Sequence, residues 1–134
     1  MTNNVYPVAI DQSVTVTTEF DGDFIEFGAG SANATVGMLS LTFAPDIDWD
    51  GQFVVMARTA GQKPLEAGAP FLPVSYKRLN VNGAVADRGY TADAITSAGM
   101  IEVPANGVSI AVLTSCAAGS CKVFIARCSG TMNV

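Results

Sequence analysis

Apolar and polar residues alternate with a period of two through much of this chain, and no sustained stripe of period 3.6 interrupts them. Residues 14–18 (Val-Thr-Val-Thr-Thr) and 24–27 (Phe-Ile-Glu-Phe) are short β-type runs. Residues 34–43 alternate through Leu39, Leu41 and Phe43 until Pro45 stops them. Residues 52–59 follow, broken by Gly61-Gln62-Lys63-Pro64. The run 71–79 carries Pro70 and Pro73, which suit an edge strand. Asn82-Gly83 signals a turn, and 84–97, small and polar, read as a loop. Strands at 99–104 and 108–115 come next, with Asn106-Gly107 between them. A hairpin loop at 117–120 then leads to a returning strand at 122–128. The pattern predicts an all-β protein, a two-sheet β-sandwich of about eight strands. Nothing in the first dozen residues alternates and Pro7 interrupts them, so 1–13 are expected to form an extended N-terminal arm and 14–134 a single domain.

Composition changes this picture in one respect. The 134 residues are 49% hydrophobic but only 14% charged, where about 25% charged is usual, and the mean hydropathy is +0.35. Alternating strands in two sheets need apolar residues on one face each. The surplus therefore predicts outer surface that neighbours cover. A net charge of −5 argues against a nucleic-acid partner. No apolar run approaches the roughly 18 residues of a membrane-spanning helix, and no membrane partner is expected. The first residues show no signal-peptide pattern, so synthesis in the cytoplasm is expected.

Candidate chemistry is sparse. The absence of histidine removes the usual general base and the commonest metal ligand. Asp46-Ile47-Asp48-Trp49-Asp50-Gly51 matches the opening of a calcium loop, in which alternate carboxylates wrap a hard cation. The twelfth position, where such a loop supplies a bidentate glutamate, is Ala57. Asp46, Asp48 and Asp50 are thus a weak calcium candidate, set against a solvated acidic turn with Trp49 packed over the sheet edge. Glu19, Asp21, Asp23 and Glu26 hold enough carboxylates for an acid–base pair, but Asp21-Gly22 is also what a tight turn requires. Cys116 and Cys121 flank a short loop and Cys128 follows. They are read as reduced thiols, or as a disulfide closing the loop. No cofactor and no enzymatic activity are expected.

The chain resembles the small jelly-roll decoration, or cement, proteins on the capsids of tailed bacteriophages. The resemblance runs over residues 30–130: the strand 34–43, then Asp48-Trp49-Asp50-Gly51-Gln52-Phe53-Val54-Val55, then Ser97-Ala98-Gly99-Met100-Ile101-Glu102-Val103-Pro104, and the final hairpin 108–128. It implies a jelly-roll sandwich that binds the outer capsid surface of a virion, with the major capsid protein as partner and a dimer or trimer as the oligomeric state. Contact residues are expected on the arm, at Val5, Tyr6, Val8 and Ile10, adding to a neighbour's sheet edge by β-augmentation. A second set is Phe71, Leu72 and Tyr76. The same pattern extends to carbohydrate-binding sandwiches, for which Trp49, Tyr76 and Tyr90 are the aromatics available to form a platform.

Overall fold

The computed structural model describes residues 4–9, 11–27, 38–59, 70–79, 90–105 and 108–127. Alternation has its expected result there: two sheets face each other, and every second side chain of each strand enters the space between them. The strands are β1 (Val5–Val8), β2 (Ser13–Val16), β3 (Phe24–Phe27), β4 (Met38–Pro45), β5 (Asp50–Thr59), β6 (Leu72–Pro73), β7 (Tyr76–Leu79), β8 (Tyr90–Thr91), β9 (Gly99–Pro104), β10 (Val108–Ala118) and β11 (Cys121–Arg127). The first sheet has the order β1-β3-β10-β5-β6 and the second β2-β11-β4-β9-β7-β8. The molecule is a β-sandwich. Its core is built from Ile25 and Phe27 of β3, Phe53 and Val55 of β5, and Ile110 and Val112 of β10. Leu39, Leu41 and Phe43 of β4, Ile101 and Val103 of β9, and Val123 and Ile125 of β11 meet them from the second sheet. Each fully buried side chain of this size contributes roughly 1.5–3 kcal/mol.

Among the described residues eleven strands stand where about eight were expected, because short pieces join the ends of the sheets. Residues 5–8 are extended, as expected of the arm, but they lie against this chain's own sheet. Val5 registers with Phe24 and Val8 with Phe27, in parallel. The run 71–79 is two strands rather than one. Leu72 and Pro73 pair with β5, then the chain crosses at Val74 and Ser75 and Tyr76–Leu79 pair with β9.

The expected hairpin at 108–128 is also absent, for a physical reason. Cys116 points inward from the first sheet, and Cys121, Val123 and Ile125 must then face inward from the second. The link at Gly119 and Ser120 therefore arches from one sheet to the other. Residues 46–49 make the same crossing between β4 and β5. The two arches lie side by side, since β4 pairs with β11 and β5 with β10. Gly119 has φ +77°, and a Cβ there would lie 2.5 Å from the Asp48 carbonyl, so only glycine fits. Asp21-Gly22 likewise ends a 3-10 turn (Thr18–Phe20) that carries the chain between sheets, not a hairpin.

Candidate functional site

The outer face of the first sheet is built from the residues that alternate with the core. These are Val5 and Pro7 on β1, Phe24 and Glu26 on β3, Ser109, Ala111, Leu113 and Ser115 on β10, and Asp50, Gln52, Val54, Met56 and Arg58 on β5. Seven of these thirteen are apolar, and the polar Asp50, Gln52 and Ser115 sit together at one end. Glu26 and Arg58 neutralise each other. Arg58 grips Glu26 with both ends of its fork, Nε to Oε2 at 2.8 Å and Nη2 to Oε1 at 2.7 Å. The Glu26 side chain is 3% exposed and that of Arg58 25%. Phe71 lies over the pair, with the Arg58 guanidinium 4.5 Å from its ring centroid and the Phe24 ring stacked 4.5 Å away. Bidentate geometry and a covering ring are what let an ion pair persist out of water. Ala111, beside them, is fully buried although it points outward.

The edges of this sheet are blunt. The Phe24 N–H donates to the Asn4 carbonyl, so Asn4, Tyr6 and Val8 direct their backbone groups toward β3 and Pro7 directs outward the position where a N–H is missing. At the opposite edge the Val74 N–H donates to the Val55 carbonyl, which leaves Pro73 in the same outward position. Proline in these positions denies a neighbour part of the ladder it would need.

The expected contact residues divide accordingly. Val5 and Tyr6 are exposed, Tyr6 with its ring edge-on to Phe20, and Leu72 is 60% exposed. Val8 packs against the core and Phe71 covers the ion pair. Ile10 lies outside the described residues, as does Cys128. Tyr76 is a correction: it is 0% exposed, donates its hydroxyl to the Asp93 carbonyl at 2.7 Å and accepts from Arg78. The proline-rich run suggested an edge, but β7 is flanked by β8 and β9, and Tyr76 has inward parity. With Tyr76 in the core and Tyr90 on the outermost strand of the second sheet, no platform with Trp49 is formed. Sequence reasoning overlooked Val54, Met56 and Leu113. The signal was present in the continuous apolar runs 53–57 and 110–113, which mark strands covered on both faces.

The acidic residues serve as local hydrogen-bond partners. Asp46 Oδ2 accepts from the Ser120 hydroxyl at 2.9 Å, and Oδ1 accepts from the backbone N–H groups of Asp48 and Ser120. These bonds, that of the Ser120 hydroxyl above all, hold its carboxyl below the ordinary value of 3.8. Asp46 thus clasps the two arches together. Among the described residues no three His, Cys, Asp or Glu side chains converge as a metal site, so Asp46, Asp48 and Asp50 are not brought together as ligands. Asp21 Oδ1 accepts from the Cys116 N–H, Asp23 from the Asn4 N–H, and Glu26 holds Arg58. Cys116 and Cys121 are free, buried thiols. Burial raises both, Cys121 to about 11, so neither is a thiolate at neutral pH.

A cleft of about 470 Å³ opens at the end of the sandwich, beside Trp49 and the start of β5. Compared with known proteins, the chain matches no family model, no curated protein and no solved structure.

Proposed function

We propose that this chain is a structural virion component, a decoration protein that binds the outer capsid surface of a tailed phage and bridges major capsid subunits through the outer face of its first sheet. The observation that carries the reading is that face: apolar at Val54, Met56, Leu113 and Phe24, with its buried ion pair neutralised, and flanked by proline-blunted edges. A partner gains there by covering face, not by extending an edge. Bridging stabilises a shell because the protein binds only the assembled form. The resemblance to jelly-roll cement proteins has support in the strand order. With β1, β7 and β8 set aside, the remaining eight strands lie as first-eighth-third-sixth and second-seventh-fourth-fifth, the order of two interlocked Greek keys. Self-association as a dimer or trimer belongs to the same proposal.

The test is co-sedimentation with virus particles, with copy number counted. Val54→Glu with Leu113→Glu is expected to abolish occupancy, while Ser40→Glu with Thr42→Glu on the second sheet leaves it unchanged. Absence from particles, or equal occupancy for the two pairs, overturns the reading.

A further inference from the structure

The edges of the two sheets are not treated alike. Both edges of the first sheet carry proline, and β8, at one edge of the second, has only 2 residues. β2, at the other edge, has neither device. Ser13-Val14-Thr15-Val16 holds no proline and no charge, and it is β-branched from Val14 to Val16. Its pairing with β11 fixes which backbone groups stay open. Val14 registers with Val123 and Val16 with Cys121. The Ile125 N–H donates to the Gln12 carbonyl at 3.0 Å, and the Asp11 N–H donates to the Ile125 carbonyl at 2.9 Å. Gln12, Val14 and Val16 therefore direct their backbone groups toward β11, while Ser13 and Thr15 direct theirs away from it. Both are exposed, and among the described residues nothing pairs with these outward groups. Asp11, at φ +69°, starts a bulge opposite Ile125 and ends the regular edge there. The open ladder is confined to 13–16.

This stretch is complementary to itself. Set antiparallel to a second copy about a two-fold axis at Val14, Ser13 stands opposite Thr15 of that copy and Thr15 opposite its Ser13. Each such pair exchanges both N–H···O=C bonds, so every outward group of the strand is used at once. The two Val14 side chains meet on the axis as a non-hydrogen-bonded pair, the arrangement in which side chains come closest. Val14 is half-buried at the margin of the core, so this contact covers the apolar surface it leaves open. No like charges are opposed: Asp11 falls opposite Thr17 of the second copy and Gln12 opposite its Val16. Such a contact also closes, because it consumes the open edge and leaves the guarded ones outside. We propose that two copies of this chain join through β2, antiparallel, into one continuous sheet. The axis of an antiparallel pair stands perpendicular to its sheet, so both docking faces of the dimer turn to the same side. One dimer then offers two attachment points to neighbouring subunits of a shell, which strengthens binding without any new contact. This use of the dimer rests on the bridging role proposed above; the contact itself rests on β2.

The experiment is sedimentation equilibrium of the full-length protein over a range of concentrations. The contact is small, so the mass is expected to rise with concentration from 13.8 kDa toward twice that value. Ser13→Lys with Thr15→Lys sets like charges opposite each other in both pairs and should weaken the dimer by about tenfold or more. Ser13→Lys with Thr15→Glu sets opposite charges there and should keep it. Both positions are exposed, so melting midpoints at low concentration should match that of the parent chain. Thr15→Pro, which removes an outward N–H that the chain itself does not use, should abolish the dimer. An oligomer that persists in the lysine pair and in Thr15→Pro overturns the β2 contact and leaves self-association standing. Equal loss in the two charged pairs overturns the antiparallel register and the proposal with it. A parent chain that stays at 13.8 kDa throughout overturns both the β2 contact and self-association, while particle occupancy tests the docking face separately.

Discussion

The two sheets of this sandwich share one core but turn different chemistry outward. The second sheet presents Ser13 and Thr15 on β2, Lys122, Phe124 and Ala126 on β11, Met38, Ser40 and Thr42 on β4, Met100 on β9, and Lys77 and Glu102 where β7 meets β9. Its one large exposed apolar group in this set, Phe124, has the Lys122 ammonium 5.2 Å over its ring. The first sheet presents Val54, Met56, Leu113 and Phe24 along most of its length, pairs Glu26 with Arg58, and keeps Asp50 at one end. Solvent satisfies the second face as it stands. The first is a partial second core, with Phe71 as its lid and Val54, Met56 and Leu113 half-buried. The low charge content of the sequence is thus not spread evenly; it is concentrated on one side, which is how a docking face differs from a generally insoluble surface.

The sharpest way to break this comparison is to remove Glu26. Glu26→Ala leaves the Arg58 guanidinium beneath Phe71 without its partner. Loss of one member of a fully buried pair costs roughly 3–5 kcal/mol. Because a quarter of the Arg58 side chain keeps contact with water, about 2–4 kcal/mol is expected here. Urea denaturation measures it. Thr42→Ala on the second sheet is expected to change stability by less than about 0.5 kcal/mol. Replacing both charges, as Glu26→Leu with Arg58→Met, should recover most of the loss, since an apolar pair of similar volume suits that face. A Glu26→Ala cost as small as that of Thr42→Ala means that the face is solvated and the contrast is false.

Phe71 gives a smaller effect. Phe71→Ala removes the stack on Phe24 and the cover over Arg58, but the ring is only half-buried, so about 1–2 kcal/mol is expected by the same denaturation assay. The loss should be smaller still in the background that already lacks the ion pair, because the cation under the ring is then gone.

Much of the fold was legible in the sequence, and the parts that were not share one cause. Period two identifies a strand and which side chains share a face, so Leu39, Leu41 and Phe43 declared β4 without ambiguity. It carries no information on which sheet a strand joins. Gly119-Ser120 reads as a hairpin loop and is an arch, and 71–79 reads as one strand and is two. Sheet assignment is set by which inward faces can meet across the core, a long-range matter that no local window contains. The same limit hid the docking face. Val5 and Tyr6 stood out because they interrupt a polar terminus, whereas Val54, Met56 and Leu113 merged into apolar runs that read as core. The acidic motif 46–51 misled in the other direction. Its spacing suits a cation, but Asp46 is consumed by Ser120, seventy-four positions along the chain.

The proline-blunted edges make a third, smaller prediction. Pro7→Val restores an outward N–H on β1 and should barely move stability, by less than about 1 kcal/mol. It should raise edge-to-edge aggregation, read by light scattering over time at fixed concentration. Pro73→Val should do the same at the other edge. Unchanged scattering in both variants means that the edges are protected by something other than proline, and the argument for face-on docking loses its support.

Both faces depend on the sheets staying joined at their arches, and this sets the smallest effect. Asp46 is exposed, but its hydrogen bonds from Ser120 and Asp48 are made best by the ionised carboxylate, which is why its pKa is lowered below 3.8. A carboxyl whose pKa falls on folding adds stability that is fully present above the unfolded value and is lost as pH falls through the folded one. The clasp should therefore hold at neutral pH and weaken below about pH 4. In Asp46→Asn the amide oxygen still accepts a hydrogen bond but no proton is taken up at that site. Melting midpoints followed from neutral to acid pH should consequently fall less steeply in the variant than in the parent chain, and the difference should vanish near neutrality apart from a constant offset. If the two curves run parallel into acid, the clasp contributes nothing to holding the arches together. The contrast between the two outer faces then rests on the shared core alone.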